Sequence, residues 1–157
     1  MSPSHAAIVL WERGDQVFTD GRYSRAHRWI FDGIEVPASS SPAVVRVPLS
    51  KEDAVDPEEA LVAALSSCHM LFVLDFARKA GFRVERYEDR VAAAMGKNDR
   101  GKTLIASVTL NPAMVFSGET LPTQADVEAL HHKAHEECFV ANSLRTEVTI
   151  TPTFTTA

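Results

Sequence analysis

Positive charge is in short supply in this sequence: 16 lysines and arginines face 21 aspartates and glutamates, for a formal net charge of −5. That balance gives no support to nucleic-acid partners or to an anionic membrane surface. Cysteine is scarcer still. Cys68 and Cys138 are the only two, too few for a secreted disulfide scaffold. The opening stretch, MSPSHAAIVLWERGD, lacks the basic region and unbroken apolar run of a signal peptide, so a cytoplasmic protein is expected. There is no internal repeat and no low-complexity segment. What is present is ordinary for a globular chain: 157 residues, 45% hydrophobic and 24% charged, predict a single domain over residues 1–157 with a sizeable core.

The most informative stretch runs from Val55 to Gly81 and reads as one long helix. Asp56 can cap it, Pro57 suits the first helical position, and Glu58 and Glu59 set negative charge at the positive end of the dipole. Arg78, Lys79 and Gly81 mark the other end. Between them the chain is apolar almost all round, through Leu61, Val62, Leu65, Met70, Leu71, Phe72, Val73, Leu74 and Phe76. Such a helix is surrounded by other elements. Ser66, Ser67, His69 and Asp75 interrupt it, which favours a central core helix over a membrane span.

Around this helix the pattern predicts strands at Ala6–Arg13 and Ala26–Phe31, the second closed by the turn pair Asp32-Gly33. Residues 37–42 (PASSSP) read as loop. After Gly81, the segment 82–95 and the segment 103–112 predict a hairpin around Asn98–Gly101. Thr123 opens a second helix, with Asp126 as a variant of the capping box and Val127, Leu130, Ala134 and Cys138 on one apolar face. One terminal strand follows, with Val148, Ile150 and Phe154 on a single face. The order implies an α+β fold, mainly antiparallel sheet packed against helices.

For either cysteine alone, an inert buried thiol is the plainer reading. Local chemistry separates them. Cys138 ends a helix in the acidic run Glu136-Glu137, where the dipole disfavours a thiolate, so it is expected to rest protonated. Cys68 lies mid-helix in the polar patch Ser66-Ser67-Cys68-His69, with no arginine or lysine within a turn. A cation from another segment would have to activate it. A competing constellation is His131, His135 and Cys138, spaced to share one helix face as a transition-metal site. Solvated histidines on an amphipathic helix are the blander alternative.

These residues carry a resemblance. Asp56-Pro57-Glu58-Glu59 leading into Ala64-Leu65-Ser66-Ser67-Cys68-His69, and Ala134-His135-Glu136-Glu137-Cys138 followed by a terminal strand, resemble the OsmC/Ohr family of osmotically inducible and organic-hydroperoxide-resistance proteins. The resemblance implies an intertwined α+β homodimer with two long central helices, one per subunit, inside the sheets. It implies cysteine-based reduction of hydroperoxides by an external thiol or dithiol reductant, with no metal or organic cofactor. Residue by residue, it makes Cys68 the peroxidatic cysteine, Cys138 the resolving one and Glu58 the carboxylate that holds an activating arginine. That arginine comes from the loop after the first strand: Arg25 matches best, Arg22 second and Arg13 third. Glu58 and Cys68 are separated by about 15 Å along their own helix. The resemblance then calls on a partner subunit's helix to bring the carboxylate to the thiol. Two other classes of function are also compatible with the sequence: a metal-binding protein using His131, His135 and Cys138, and a dimeric binder of apolar ligands without turnover.

Overall fold

The computed structural model describes residues 4–157; residues 1–3, the tip of the stretch read above for a signal pattern, lie outside the described residues. The chain divides into two compact units, Met1–Ala60 and Leu61–Ala157, with the boundary inside the first helix.

In the first unit, β1 (Ile8–Leu10), β2 (His27–Phe31) and β3 (Ile34–Ala38) form an antiparallel sheet in that order. Asp32 and Gly33 take φ of 43° and 87°, a two-residue turn whose twist suits a hairpin. The first strand is shorter than its apolar pattern suggests. β3 also runs through Pro37 and Ala38, where loop was expected. Proline is tolerated there because β3 is an edge strand. Val55 then bridges to Ala38, its amide donating to Pro37 and its carbonyl accepting from Ser39.

The helix α1 (Pro57–Lys79) forms as expected, and both ends are capped by its own sequence. Asp56 accepts from the Glu59 amide at 2.8 Å, while the Glu59 carboxylate accepts from the Asp56 amide at 3.2 Å, a reciprocal capping box. At the other end Gly81 takes φ 83°, and the amides of Phe82 and Gly81 donate to Ala77 and Arg78. This is the Schellman arrangement, which glycine adopts at little cost.

The second unit continues with β4 (Arg83–Asp89), β5 (Ala92–Lys97), β6 (Thr103–Leu110), β7 (Pro112–Ser117), α2 (Gln124–Glu137), α3 (Phe139–Asn142), β8 (Glu147–Ile150) and β9 (Thr153–Thr156). They build two sheets, β4-β7-β9 and β5-β6-β8. The expected hairpin is therefore half right. β5 and β6 pair across the Asn98–Gly101 turn, but the chain breaks after Asp89, and β4 pairs instead with β7, a strand that the sequence pattern did not reveal. The terminal strand is likewise two, split at Thr151-Pro152, and β8 and β9 run parallel to β6 and β7. The sheets are thus mixed.

Each of these three strand pairs passes from one sheet to the other at the same level, and polar side chains satisfy the bend. Asn111 donates its amide to Asp89 at 2.7 Å and its side chain to the Arg90 carbonyl at 3.0 Å. Thr151 donates its hydroxyl to Asn111 at 2.6 Å and its amide to Leu110 at 2.9 Å. The second oxygen of Asp89 accepts from Ser66 of α1.

The two sheets give two cores. Val73 and Ala77 of α1 pack with Met114, Phe116, Val127, Leu130 and Ala134. Val62 and Leu65 pack with Val108, Leu110 and Cys138. The buried residues of α1 thus lie on one stripe of Val62, Leu65, His69, Val73 and Ala77. Leu71, off that stripe, is 60% exposed. By length and composition α1 could cross a membrane, yet the Ser66 hydroxyl and Nε2 of His69 bond to partners inside the fold.

His69 lies between the two cores and meets His131 of α2. The pair is 1% and 2% exposed, with Nε2 of His69 2.9 Å from Nδ1 of His131 and the rings stacked 5.1 Å apart. Whichever imidazole donates, one outer nitrogen keeps a proton and the other a bare lone pair. Those outer atoms, Nδ1 of His69 and Nε2 of His131, have no partner among the described residues, nor has the Nδ1 of His135. Burial pushes both pKa values down to about 4; for His69 the neighbouring His131 and His135 add to it. Tyr87 of β4 stands 6.3 Å from the His131 ring, and burial raises its phenol.

Acid should therefore weaken this fold in a defined window. Between pH 6.5 and about 4 the unfolded chain takes up histidine protons that the folded chain refuses, so stability falls as pH falls through that range. For one histidine the loss is on the order of 3 kcal/mol. Denaturant midpoints from pH 7.5 to 4 should show it, and a His69→Phe/His131→Phe chain should show a flatter slope; an equal slope would contradict this origin.

Candidate active site

Cys68 stands one turn beyond Leu65 on α1, on the flank of the buried stripe and half-buried. It opens onto a cavity of about 550 Å³ lined by Ala64, Ser67, Leu71, Phe72, Asp75 and Phe139. The walls are mostly apolar. Phe139, 73% exposed, forms the outer wall and meets Phe72 edge-on at 5.2 Å.

The second thiol lies behind Cys68, outside the lining of that cavity. Cys138 is fully buried and packs in the same apolar cluster as Cys68; both cysteines are free. It ends α2 and at once caps α3, its sulfur accepting from the Ala141 amide at 3.4 Å. Its pKa is pushed up to about 11, first by burial and then by contact with the Cys68 thiol, against the Ala141 and Val140 amides, which lower it. The expectation of a protonated Cys138 holds, but burial, not the α2 dipole, is the main cause.

In the first unit, Arg25 sits in the loop between β1 and β2. Its Nη1 donates to the Gly21 carbonyl at 2.9 Å and to the Tyr23 carbonyl, and its guanidinium lies 3.9 Å over the Tyr23 ring. Tyr23 in turn stacks on Phe18 at 4.7 Å and meets Trp11 edge-on at 5.3 Å. The Arg25 carbonyl is held by His27 Nδ1 at 2.8 Å, and Trp29 donates to the other nitrogen of that ring at 3.1 Å, which fixes its tautomer. Arg25 also lines a cavity of about 470 Å³ with Val9, Trp11, Phe18, Tyr23, His27, Ser40 and Pro57. The other two candidates differ. Arg13 is turned to the Gln16 carbonyl at 2.6 Å, and the Arg22 amide meets Asp20; both side chains are at the exposed surface. Glu58 is half-buried in the first turn of α1. Among the described residues, neither Arg25 nor Glu58 forms an ion pair within the chain.

The metal constellation does not assemble. His131 is spent on His69, Cys138 turns toward Cys68 and α3, and among the described residues no group of three or more histidine, cysteine or acidic side chains could hold a metal ion. His131 is also buried rather than solvated. The signal was in the sequence: Val127, Leu130, His131 and Ala134 fall at i, i+3, i+4 and i+7, which puts His131 on the apolar face. Phe139 and α3 were not foreseen, since one turn of helix leaves no periodicity to read.

The sequence matches the profile described as "OsmC-like protein" over residues 50–153. No curated protein matches it. Among solved structures, an OsmC-like protein of unknown function from Vibrio cholerae is 53% identical with a TM-score of 0.94, covering 96% of this chain and 99% of that one. An organic hydroperoxide resistance protein OsmC from Legionella pneumophila is similar in fold at 15% identity and a TM-score of 0.65, covering 99% and 98%. The organic hydroperoxide resistance protein OhrB of Bacillus subtilis is similar at 13% identity and a TM-score of 0.60, covering 97% and 98%. The bent sheets, the long thiol-bearing helix and a profile match over well more than half of the residues agree: the chain belongs to the OsmC-like protein family.

Proposed function

We propose that this protein is a thiol peroxidase that reduces organic hydroperoxides to alcohols. The observation that carries the reading is the thiol pair: a half-buried Cys68 opening onto an apolar cavity, with a buried, protonated Cys138 packed in the same cluster. The Cys68 thiolate attacks the distal peroxide oxygen, the O–O bond breaks, and the alkoxide takes a proton and leaves as alcohol, with Cys68 as sulfenic acid. The Cys138 sulfur then attacks Cys68; its proton and the sulfenic hydroxyl leave as water, and a Cys68–Cys138 disulfide remains. An external thiol or dithiol reduces it. The apolar lining favours organic peroxides over hydrogen peroxide.

Arg25 is the cation that favours the thiolate. Only its Nη1 is engaged within the chain among the described residues, so the rest of the fork remains for an anion. Glu58 from a second subunit holds it. The protein in this reading is a cytoplasmic homodimer of single OsmC-like domains spanning residues 1–157. The α1 face bearing exposed Leu71, and Phe139 beside it, supports such an interface.

Wild type should consume tert-butyl hydroperoxide faster than hydrogen peroxide, and Cys68→Ser should consume neither. Equal, slow loss in both chains would reject the enzyme reading in favour of a binder. Cys138→Ser should stop at a sulfenic acid that excess peroxide over-oxidises; mass spectrometry finding only a Cys68–Cys68 interchain link in wild type would remove the resolving role. Arg25→Ala should slow Cys68 oxidation at least about tenfold at neutral pH, with partial recovery in alkali and an intact fold. A larger effect in Arg22→Ala would move the role there. Sedimentation at micromolar concentration should give a dimer; a stable folded monomer would contradict the interface.

A further inference from the structure

We propose that the His69–His131 hydrogen bond is a positioning device for the thiol pair: by fixing how α2 crosses α1, it sets the geometry in which Cys138 closes on oxidised Cys68. The inference rests on the disulfide chemistry proposed above.

The argument begins with spacing. Cys68 and His69 are neighbours on α1, so their side chains leave it about 100° apart and only about 1.5 Å apart along its axis. Their counterparts are seven residues apart, Cys138 at the end of α2 and His131 two turns before it, about 10.5 Å along that axis. Two contacts close together on one helix and far apart on the other require a steep crossing. The first contact lies at the end of α2, and the rest of the hold on α2 is apolar packing of Val73 and Ala77 against Val127, Leu130 and Ala134, which carries no direction. The second fixes the angle, and it is directional: among the described residues it is the only side-chain hydrogen bond between α1 and α2.

A purely apolar core would be better served without it. The pair leaves Nδ1 of His69 and Nε2 of His131 unpartnered among the described residues, a cost that two aromatic hydrocarbons would avoid. What the imidazoles add is orientation. A disulfide needs its two Cα atoms within a narrow distance range and a torsion near 90°, so closure is sensitive to small swings of α2. Reactive groups held in line gain large effective concentrations, and groups that wander lose them. Of the two thiols, the hydroperoxide step uses only Cys68, and it is not expected to depend on the angle.

The two steps give the test. Full-length His69→Phe and His131→Phe keep ring volume but lose the bond. His131→Asn places an amide where Nδ1 stands and can keep it; His131→Gln reaches instead toward the position of Nε2 and loses it. After one equivalent of tert-butyl hydroperoxide, sulfenic acid trapped with dimedone should form at the wild-type rate in all four. Disulfide closure should slow about tenfold in the two phenylalanine variants and in His131→Gln, and stay within threefold in His131→Asn. In glutathione redox mixtures, without peroxide, the disulfide equilibrium should weaken about tenfold in the same three, equivalent to about 30 mV. Thermal unfolding identifies any phenylalanine variant that does not fold, and His131→Gln then carries the test. Closure and equilibrium within twofold of wild type in the folded bond-breaking variants would overturn the inference, as would His131→Asn losing as much as His131→Phe. A wild-type chain that forms no Cys68–Cys138 disulfide in oxidised glutathione overturns it too. A normal glutathione equilibrium with no hydroperoxide turnover overturns the peroxidase reading alone.

Discussion

Strands that leave one sheet for another abandon their ladder, and every group released at the crossing needs a new partner. In this chain three crossings coincide, after Asp89, at Asn111 and at Thr151, and the residues at them bond to one another. Asp89 has the central place, because its other oxygen takes the Ser66 hydroxyl. That bond fixes α1 two residues before Cys68. The position of the thiol thus follows from a polar requirement of the sheets, and the apolar cores fill in on either side of it.

The chemistry of the two cysteines follows from where that anchoring leaves them. Half-buried on the flank of an apolar helix, Cys68 opens onto a cavity and has no cation of its own segment beside it. Cys138, wholly enclosed, is held as a thiol by burial even though two amides point at its sulfur. The difference suits an order of events in which one sulfur reacts with something from outside and the other only with its neighbour. Phe139, next to Cys138 in sequence, forms the outer wall of the cavity on Cys68, so the same turn of chain shapes the entrance and delivers the second thiol.

Much of this was legible in the residues. The capped ends of α1, the Asp32-Gly33 turn, the α2 capping box and its apolar face all follow from local chemistry, and all formed. The family could be read from the settings of the two thiols. What escaped the sequence was long-range. Nothing local tells that β4 and β5 belong to different sheets, because a continuous strand pattern runs across Asp89 and Arg90 and the break is made by partners at Asn111. β7 was hidden by its proline start and short length. The burial of His131 was legible in its spacing from Val127, Leu130 and Ala134, but its partner 62 positions earlier was not. The histidine pair joins residues that no spacing rule connects.

The order of elements along the chain has a consequence for how the protein is made. α1 is its most apolar segment, yet the side chains that cover its stripe, Met114, Phe116, Val127, Leu130 and Phe154, all come later, the last of them on β9. A growing chain can form and cap the helix early, since both caps are local. It cannot hide it. During synthesis the helix stays bare until nearly all the second unit has emerged, and an apolar surface of that length invites aggregation or capture by chaperones. The polar residues that interrupt α1, Ser66, Ser67, His69 and Asp75, shorten every unbroken apolar run on it during that interval, before two of them find their bonds in the finished fold.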